Sequence, residues 1–224
     1  MRSTVVATLE GFIVEDAADA LAKALRVDPL YAALVADLDA HDAHVALRAY
    51  FSRSIRHYRH DGMMVELPDA TLGAALWSGS ALPTSECAQA PDAAFGATTE
   101  PDDVMLFGER GARLYRETID EMSQRSATHV PADAWYLSIL GVDPNTQGRG
   151  LGRQLLAPTL AEADRREKAC WLETFSADNL GFYRRLGFES RGAIEVSDTP
   201  LTYHVMVRSP RIEQHGAGEP STSE

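Results

Sequence analysis

An apolar run, Ala134 to Val142, passes through Asp143-Pro144-Asn145-Thr146-Gln147-Gly148-Arg149-Gly150-Leu151-Gly152 into an amphipathic run from Arg153 to Glu167. This passage restricts the fold more than any other part of the chain. A strand that ends in a glycine-rich turn and opens a helix belongs to α/β architectures. The same passage can hold phosphate. Main-chain N–H groups at a helix start have no partner within the helix, and the helix dipole favours negative charge there. Glycines at 148, 150 and 152 let the main chain approach an anion, and Arg149 and Arg153 add positive charge.

Two common phosphate motifs do not fit. No Lys-Ser or Lys-Thr follows the glycines, as a P-loop requires. The third glycine falls too early for a Gly-x-Gly-x-x-Gly dinucleotide turn. The pattern is Gln-x-x-Gly-x-Gly, from Gln147 to Gly152. Downstream, Trp171-Leu172-Glu173-Thr174 reads as a second buried strand. Asn179-Leu180-Gly181-Phe182-Tyr183-Arg184-Arg185-Leu186-Gly187-Phe188 reads as a short helix ending at Gly187 and feeding another strand.

Turn, strand and block together resemble the acetyl-CoA-dependent N-acetyltransferases of the GNAT superfamily, in that family's order and spacing. Residues 134–208 are most similar to the puromycin N-acetyltransferase branch. They share an aromatic strand ending Gly-Val, the Gln-Gly-basic-Gly-Leu-Gly turn, Leu-Glu-Thr and Asn-Leu-x-Phe-Tyr-x-Arg-Leu-Gly-Phe. A looser similarity reaches back over 15–77 and includes Gly73-Ala74-Ala75-Leu76-Trp77, whereas 78–130 diverge.

The resemblance implies a mixed, mostly antiparallel α/β sheet, splayed at the cofactor strand, with helices on both faces. It implies acetyl-CoA as co-substrate, no metal, and transfer of the acetyl group to a primary amine of a small molecule, such as an antibiotic or other toxic amine, by direct attack in a ternary complex. The alternatives are a protein or peptide N-acetyltransferase and a non-catalytic acyl-CoA-binding regulatory module. The turn at Gln147, Gly148, Arg149, Gly150, Gly152 and Arg153 would hold the pyrophosphate. Free backbone on the strand through Leu140 and Val142 would hold the pantetheine arm, with Asn179 touching it. Asn179 could equally cap the helix that follows.

Tyr183 is the general-acid candidate. A phenol has a pKa near 10 and a thiol near 8.5, so tyrosine can protonate a departing thiolate. Its plainer role is core packing beside Phe182 and Phe188. Glu173 is the general-base candidate, a carboxylate between Trp171, Leu172 and Phe175, where burial would raise its pKa. It could instead position the amine or form an ion pair. Trp135 and Tyr136 are candidates to line the acceptor pocket. The spaced pairs His41/His44 and His57/His60 lack the further ligands a metal site needs, and His129 and His204 read as structural.

Composition narrows the partners. The net charge is −12 over 224 residues, so nucleic acid is disfavoured; the charge favours a cationic small molecule or serves plain solubility. No apolar run approaches the roughly 20 residues of a membrane span. Two cysteines, Cys87 and Cys170, form no disulfide framework, and a cytoplasmic setting is the default. The expected organisation is one domain over 1–208, with its cofactor half at about 134–208, and a disordered tail at 209–224. Such a domain would act as a monomer or homodimer. Residues 3–9 read as a strand and 16–27, 30–38, 42–58 and 109–124 as helices. Residues 63–67 and 71–77 read as paired strands, 78–103 as a long loop or lid, and 192–207 as a final hairpin.

Overall fold

The computed structural model describes residues 2–61, 63–66, 69–78 and 100–211. Six strands form one sheet in the order β1-β2-β3-β4-β6-β5. They are β1 (Met63–Glu66), β2 (Gly73–Ser78), β3 (Trp135–Val142), β4 (Cys170–Thr174), β5 (Glu189–Glu195) and β6 (Thr202–Arg208). Every pairing is antiparallel except β3 with β4. That parallel pair needs a crossover, and the helix 151–165 supplies it.

Alternation along the strands sends side chains to two cores. In β3, Tyr136 joins one cluster while Trp135 and Leu137 join the other, and a bulge between Leu137 and Ile139 then turns Ile139 to the side of Tyr136. The first cluster lies under α1 (Arg2–Leu25), α2 (Pro29–Leu34), α3 (Ala40–Asp61) and α4 (Glu100–Ser126). The second lies under α5 (Leu151–Arg165) and α6 (Leu180–Arg185). Helices therefore cover both faces, as expected. Among the described residues, no helix is long and apolar enough to cross a membrane.

The N-terminal expectation fails. Residues 3–9 are not a strand but the beginning of α1. A short β-branched run carries no period that separates strand from helix, and this one runs without a proline into a strongly helical segment. In α3, Leu47, Phe51 and Ile55 are fully buried, but Val45 faces solvent at 51% exposure. The helix expected from Glu109 starts earlier, at Glu100, and breaks at Gly108, where φ is 70°. A positive φ costs glycine nothing, so the kink sits where the chain can turn most easily. The inner face of α4 is as read, with Ala112, Tyr115, Ile119 and Met122 buried.

Of the 78–103 loop, 79–99 lie outside the described residues, and 100–103 are helical. Of the tail, 212–224 lie outside them. Residues 209–211 do not match the expected disorder, because Arg211 N–H donates to Asp164 Oδ1 at 2.7 Å.

Candidate functional site

The site forms where two neighbouring strands part. β3 and β4 pair only at Trp135–Cys170, Tyr136–Trp171 and Leu137–Leu172. Beyond that, β4 continues along β6 while β3 runs on beside β2. The β4-facing edge of β3 from Ser138 to Val142 is thereby left without a strand partner. Unpaired strand edges take up an extended ligand through main-chain hydrogen bonds.

Below this opening lies a cleft of about 800 Å3. Its floor includes Leu140 and Val142 of β3, its head Gln147, Gly148, Gly150, Gly152 and Arg153, and its side Asn179 and Tyr183. Gly148 and Gly150 have φ of 78° and 79°. A Cβ at either would meet no atom within 4 Å, so the space above both is open and only the backbone conformation demands glycine. The N–H groups of 148–150 donate to no main-chain carbonyl among the described residues. Gly150 caps α5 without any side-chain bond, so the helix head keeps its donors for a ligand. Gly152 serves a different purpose: a Cβ there would press within 3.2 Å of the Phe182 ring, so it lets the turn pack on α6. Gln147 folds back, its Nε2 donating to Val142 O at 3.1 Å, which ties the turn to the end of β3.

The cleft carries the opposite charge to the chain. Its charged lining is Arg153, Arg185, Arg208 and Arg211 against Asp164 alone, and Asp164 is held by Arg208 at 2.7 and 2.6 Å. In a chain of net charge −12, this is a local cationic groove. Open main-chain donors, a free strand edge and four arginines fit a long anionic ligand such as coenzyme A. Arg149 does not share in this; it is exposed and outside the lining. Asn179 stands at the N-cap of α6 but makes no side-chain cap bond, so the capping role is not realised.

A second cavity, about 70 Å3, opens from the first. Leu25, Leu140, Asn179 and Tyr183 line both. Tyr183 is 7% exposed and packs edge-on against Phe182 and Phe188, with centroids 5.1 and 5.9 Å away. Burial holds its hydroxyl well above the ordinary phenol value, and the charge of Asp28 adds to that. The packing role considered for Tyr183 is realised, and the residue also borders both spaces.

Glu173 and Tyr136 line the small cavity. The Ser126 hydroxyl donates to Glu173 Oε1 at 2.6 Å, and Tyr136 also hydrogen-bonds this carboxyl. Glu173 keeps some accessible surface, yet burial dominates and pushes its pKa up to about 7, against the opposing pull of both hydroxyls. Tyr136 stacks on Trp171 with centroids 4.3 Å apart. Trp135 points to the opposite face of the sheet, under the Arg166 guanidinium at 5.7 Å, and lines neither cavity. A one-residue step along a strand reverses the side chain, so only one of these adjacent aromatics can reach the site.

Two polar residues went unrecognised in the sequence: Asp28, which lines the small cavity, and Ser126, which lies outside that lining and reaches it only through its bond to Glu173. Asp28 precedes Pro29 and reads as an ordinary helix cap, and Ser126 ends α4 with no motif around it. His44 bonds Asp19 at 2.9 Å, and His129 packs on Gly192; neither lines the cleft or the small cavity. Among the described residues, no three His, Cys, Asp or Glu side chains converge as a metal site would need.

Residues 111–190 match the family model described as acetyltransferase (GNAT) domain. The chain is 31% identical over 104 residues to blasticidin-S acetyltransferase of Streptomyces morookaense, covering 45% of this chain and 69% of that protein. The chain belongs to the GNAT acetyltransferase family. This GNAT chain is also 37% identical over 84 residues to the ribosomal protein bS18-alanine N-acetyltransferase of Salmonella typhimurium, over 36% of this chain and 57% of that one. Its fold matches a solved structure from Corynebacterium glutamicum described as histone acetyltransferase HPA2 and related acetyltransferase. The TM-score is 0.60 at 24% identity, over 90% of this chain and 93% of that one. This GNAT protein is an acetyl-CoA-dependent N-acetyltransferase.

Proposed function

We propose that this enzyme acetylates a primary amine of a small cationic molecule, with Tyr183 as general acid and Glu173 as general base. One observation carries the proposal. A groove lined by four arginines meets a cavity whose charged residues are two carboxylates, and Tyr183 borders both. Opposite charge on the two sides suits an anionic donor and a cationic acceptor brought together at one phenol.

Acetyl-CoA, when bound, supplies the acetyl thioester. The chain's own groups do the rest. The turn Gln147–Arg153 grips the pyrophosphate by main-chain N–H groups, and the free edge of β3 at Leu140 and Val142 holds the pantetheine arm, with Asn179 beside it. Glu173, with Ser126 and Tyr136 fixing its carboxylate, takes the proton of the attacking ammonium, directly or through water. The amine nitrogen bonds the acetyl carbon, the carbon–sulfur bond breaks, Tyr183 gives its proton to the leaving sulfur, and the surplus proton on the new amide nitrogen departs to restore the phenol. A carboxylate raised to about 7 is better matched to an ammonium pKa near 10 than an ordinary one. Residues 1–208 would act as one domain.

The similarity to blasticidin-S acetyltransferase and to the puromycin branch supports an antibiotic or related toxic amine as acceptor. The relative named for a ribosomal-protein alanine favours a second reading, a protein N-terminus. A thiol-release assay with acetyl-CoA tests both, using amino nucleosides, aminoglycosides, amino acids and N-terminal peptides as acceptors. Turnover of small amines is expected. Tyr183→Phe should lower kcat by about 100-fold or more, with acetyl-CoA affinity kept within a factor of about two. Turnover of peptides alone, or a fully active Tyr183→Phe, contradicts the proposal.

A further inference from the structure

We infer that the acceptor carries a second cationic group a few bonds from the reacting amine, and that Asp28 holds it. This rests on the acceptor reading just given and deepens it.

Asp28 lies between α1 and α2 and lines the small cavity together with Glu173 and Tyr183. It already has a local task. Its Oδ1 accepts the Leu30 N–H at 3.0 Å, as a helix N-cap should. That task does not need a charge, since asparagine caps a helix as well as aspartate does. The charge is therefore surplus to the fold, and it comes at a cost. Neither Asp28 nor Glu173 has a Lys, Arg or His partner among the described residues. Two carboxyls in one cavity with no cation are each destabilised as anions. Burial raises Asp28 to about 6, and Glu173 to about 7. The charge of Asp28 also opposes proton loss from Tyr183, the step required of it. A cation seated on Asp28 relieves both penalties at once.

The size of the cavity limits the spacing. A water needs roughly 10–15 Å3 of such space, so about 70 Å3 takes about five water-sized groups. A chain of five non-hydrogen atoms with nitrogen at each end fills it. 1,3-Diaminopropane is that chain. n-Butylamine is the same length with a methyl in place of the second ammonium.

The test compares kcat/KM for these two amines, with acetyl-CoA saturating, in wild type and Asp28→Asn. A hydrogen bond to a charged group is worth enough that wild type should favour the diamine by about tenfold or more. Asp28→Asn should bring the ratio to within about threefold of unity, mainly by raising KM for the diamine. A diamine preference undiminished in Asp28→Asn overturns this inference alone. Failure of wild type to acetylate either amine overturns the small-amine reading and this inference with it. Should the variant melt below the assay temperature, calorimetry on wild type decides the matter: diamine binding no tighter than n-butylamine binding overturns it.

Discussion

Replacing Glu173 by glutamine should flatten part of the pH dependence of stability, and by an amount the structure sets. Burial raises this carboxyl from its ordinary 4.5 to about 7. In the unfolded chain the group loses its proton near 4.5; in the fold it keeps it until about 7. Between these values the unfolded state has released a proton that the native state still holds, so stability falls as pH rises through the window and is level above it. At about 1.4 kcal/mol per pH unit, the full fall is at most about 3.5 kcal/mol, and about 2.5 kcal/mol of it lies between pH 5 and 8.5. Glutamine is neutral throughout and can still accept the Ser126 hydroxyl, so it should lack this component. Urea unfolding of both proteins at the two pH values gives the result directly, because histidines and surface carboxylates cancel in the difference. Wild type should lose about 2.5 kcal/mol more than Glu173→Gln. Equal losses would refute the claim that this carboxyl is desolvated. The same group should appear in catalysis: kcat/KM of wild type rises through about pH 7, and Glu173→Gln loses about 100-fold or more at the plateau.

Gly150→Asp should weaken acetyl-CoA binding by about 100-fold in calorimetry, because it puts a carboxylate at the helix head in the open space above a φ of 79°. Aspartate tolerates this conformation better than most residues, so a melting temperature within a few degrees of wild type is expected, and unchanged affinity would remove the turn from the binding site. Ser126→Ala deletes a 2.6 Å bond that favours the charged carboxylate, and should move the inflection of the kcat/KM profile upward by about one pH unit with the plateau retained. An inflection that stays put means Ser126 does not tune Glu173.

What could be read from the sequence, and what could not, follows from how far apart the interacting groups lie along the chain. The glycine turn, the strand before it and the Asn179–Phe188 block are local: each is specified by residues within about one element's length, so composition and spacing carry them. The strand expected at 3–9 failed for the opposite reason, since a brief β-branched stretch takes its conformation from what it adjoins. Trp135 and Tyr136 could not be told apart until the sheet's two faces were assigned, for strand parity is fixed by the partners across the ladder. Asp28 and Ser126 come from separate parts of the chain, and they reach the surroundings of Glu173, the one across a shared cavity and the other by a hydrogen bond, only because α2 and α4 cover the face of the sheet where β3 and β4 part. No spacing rule joins them. Yet one trace was present. A carboxylate in the apolar strand Trp171–Phe175 demands company, and the buried serine hydroxyl that meets it at 2.6 Å answers that demand without neutralising the charge. A buried acid given hydrogen bonds but no counter-ion is poorly designed for stability and well designed to receive a proton or a cation. That distinction, more than the motif itself, supports the proposal that this carboxylate serves the acceptor.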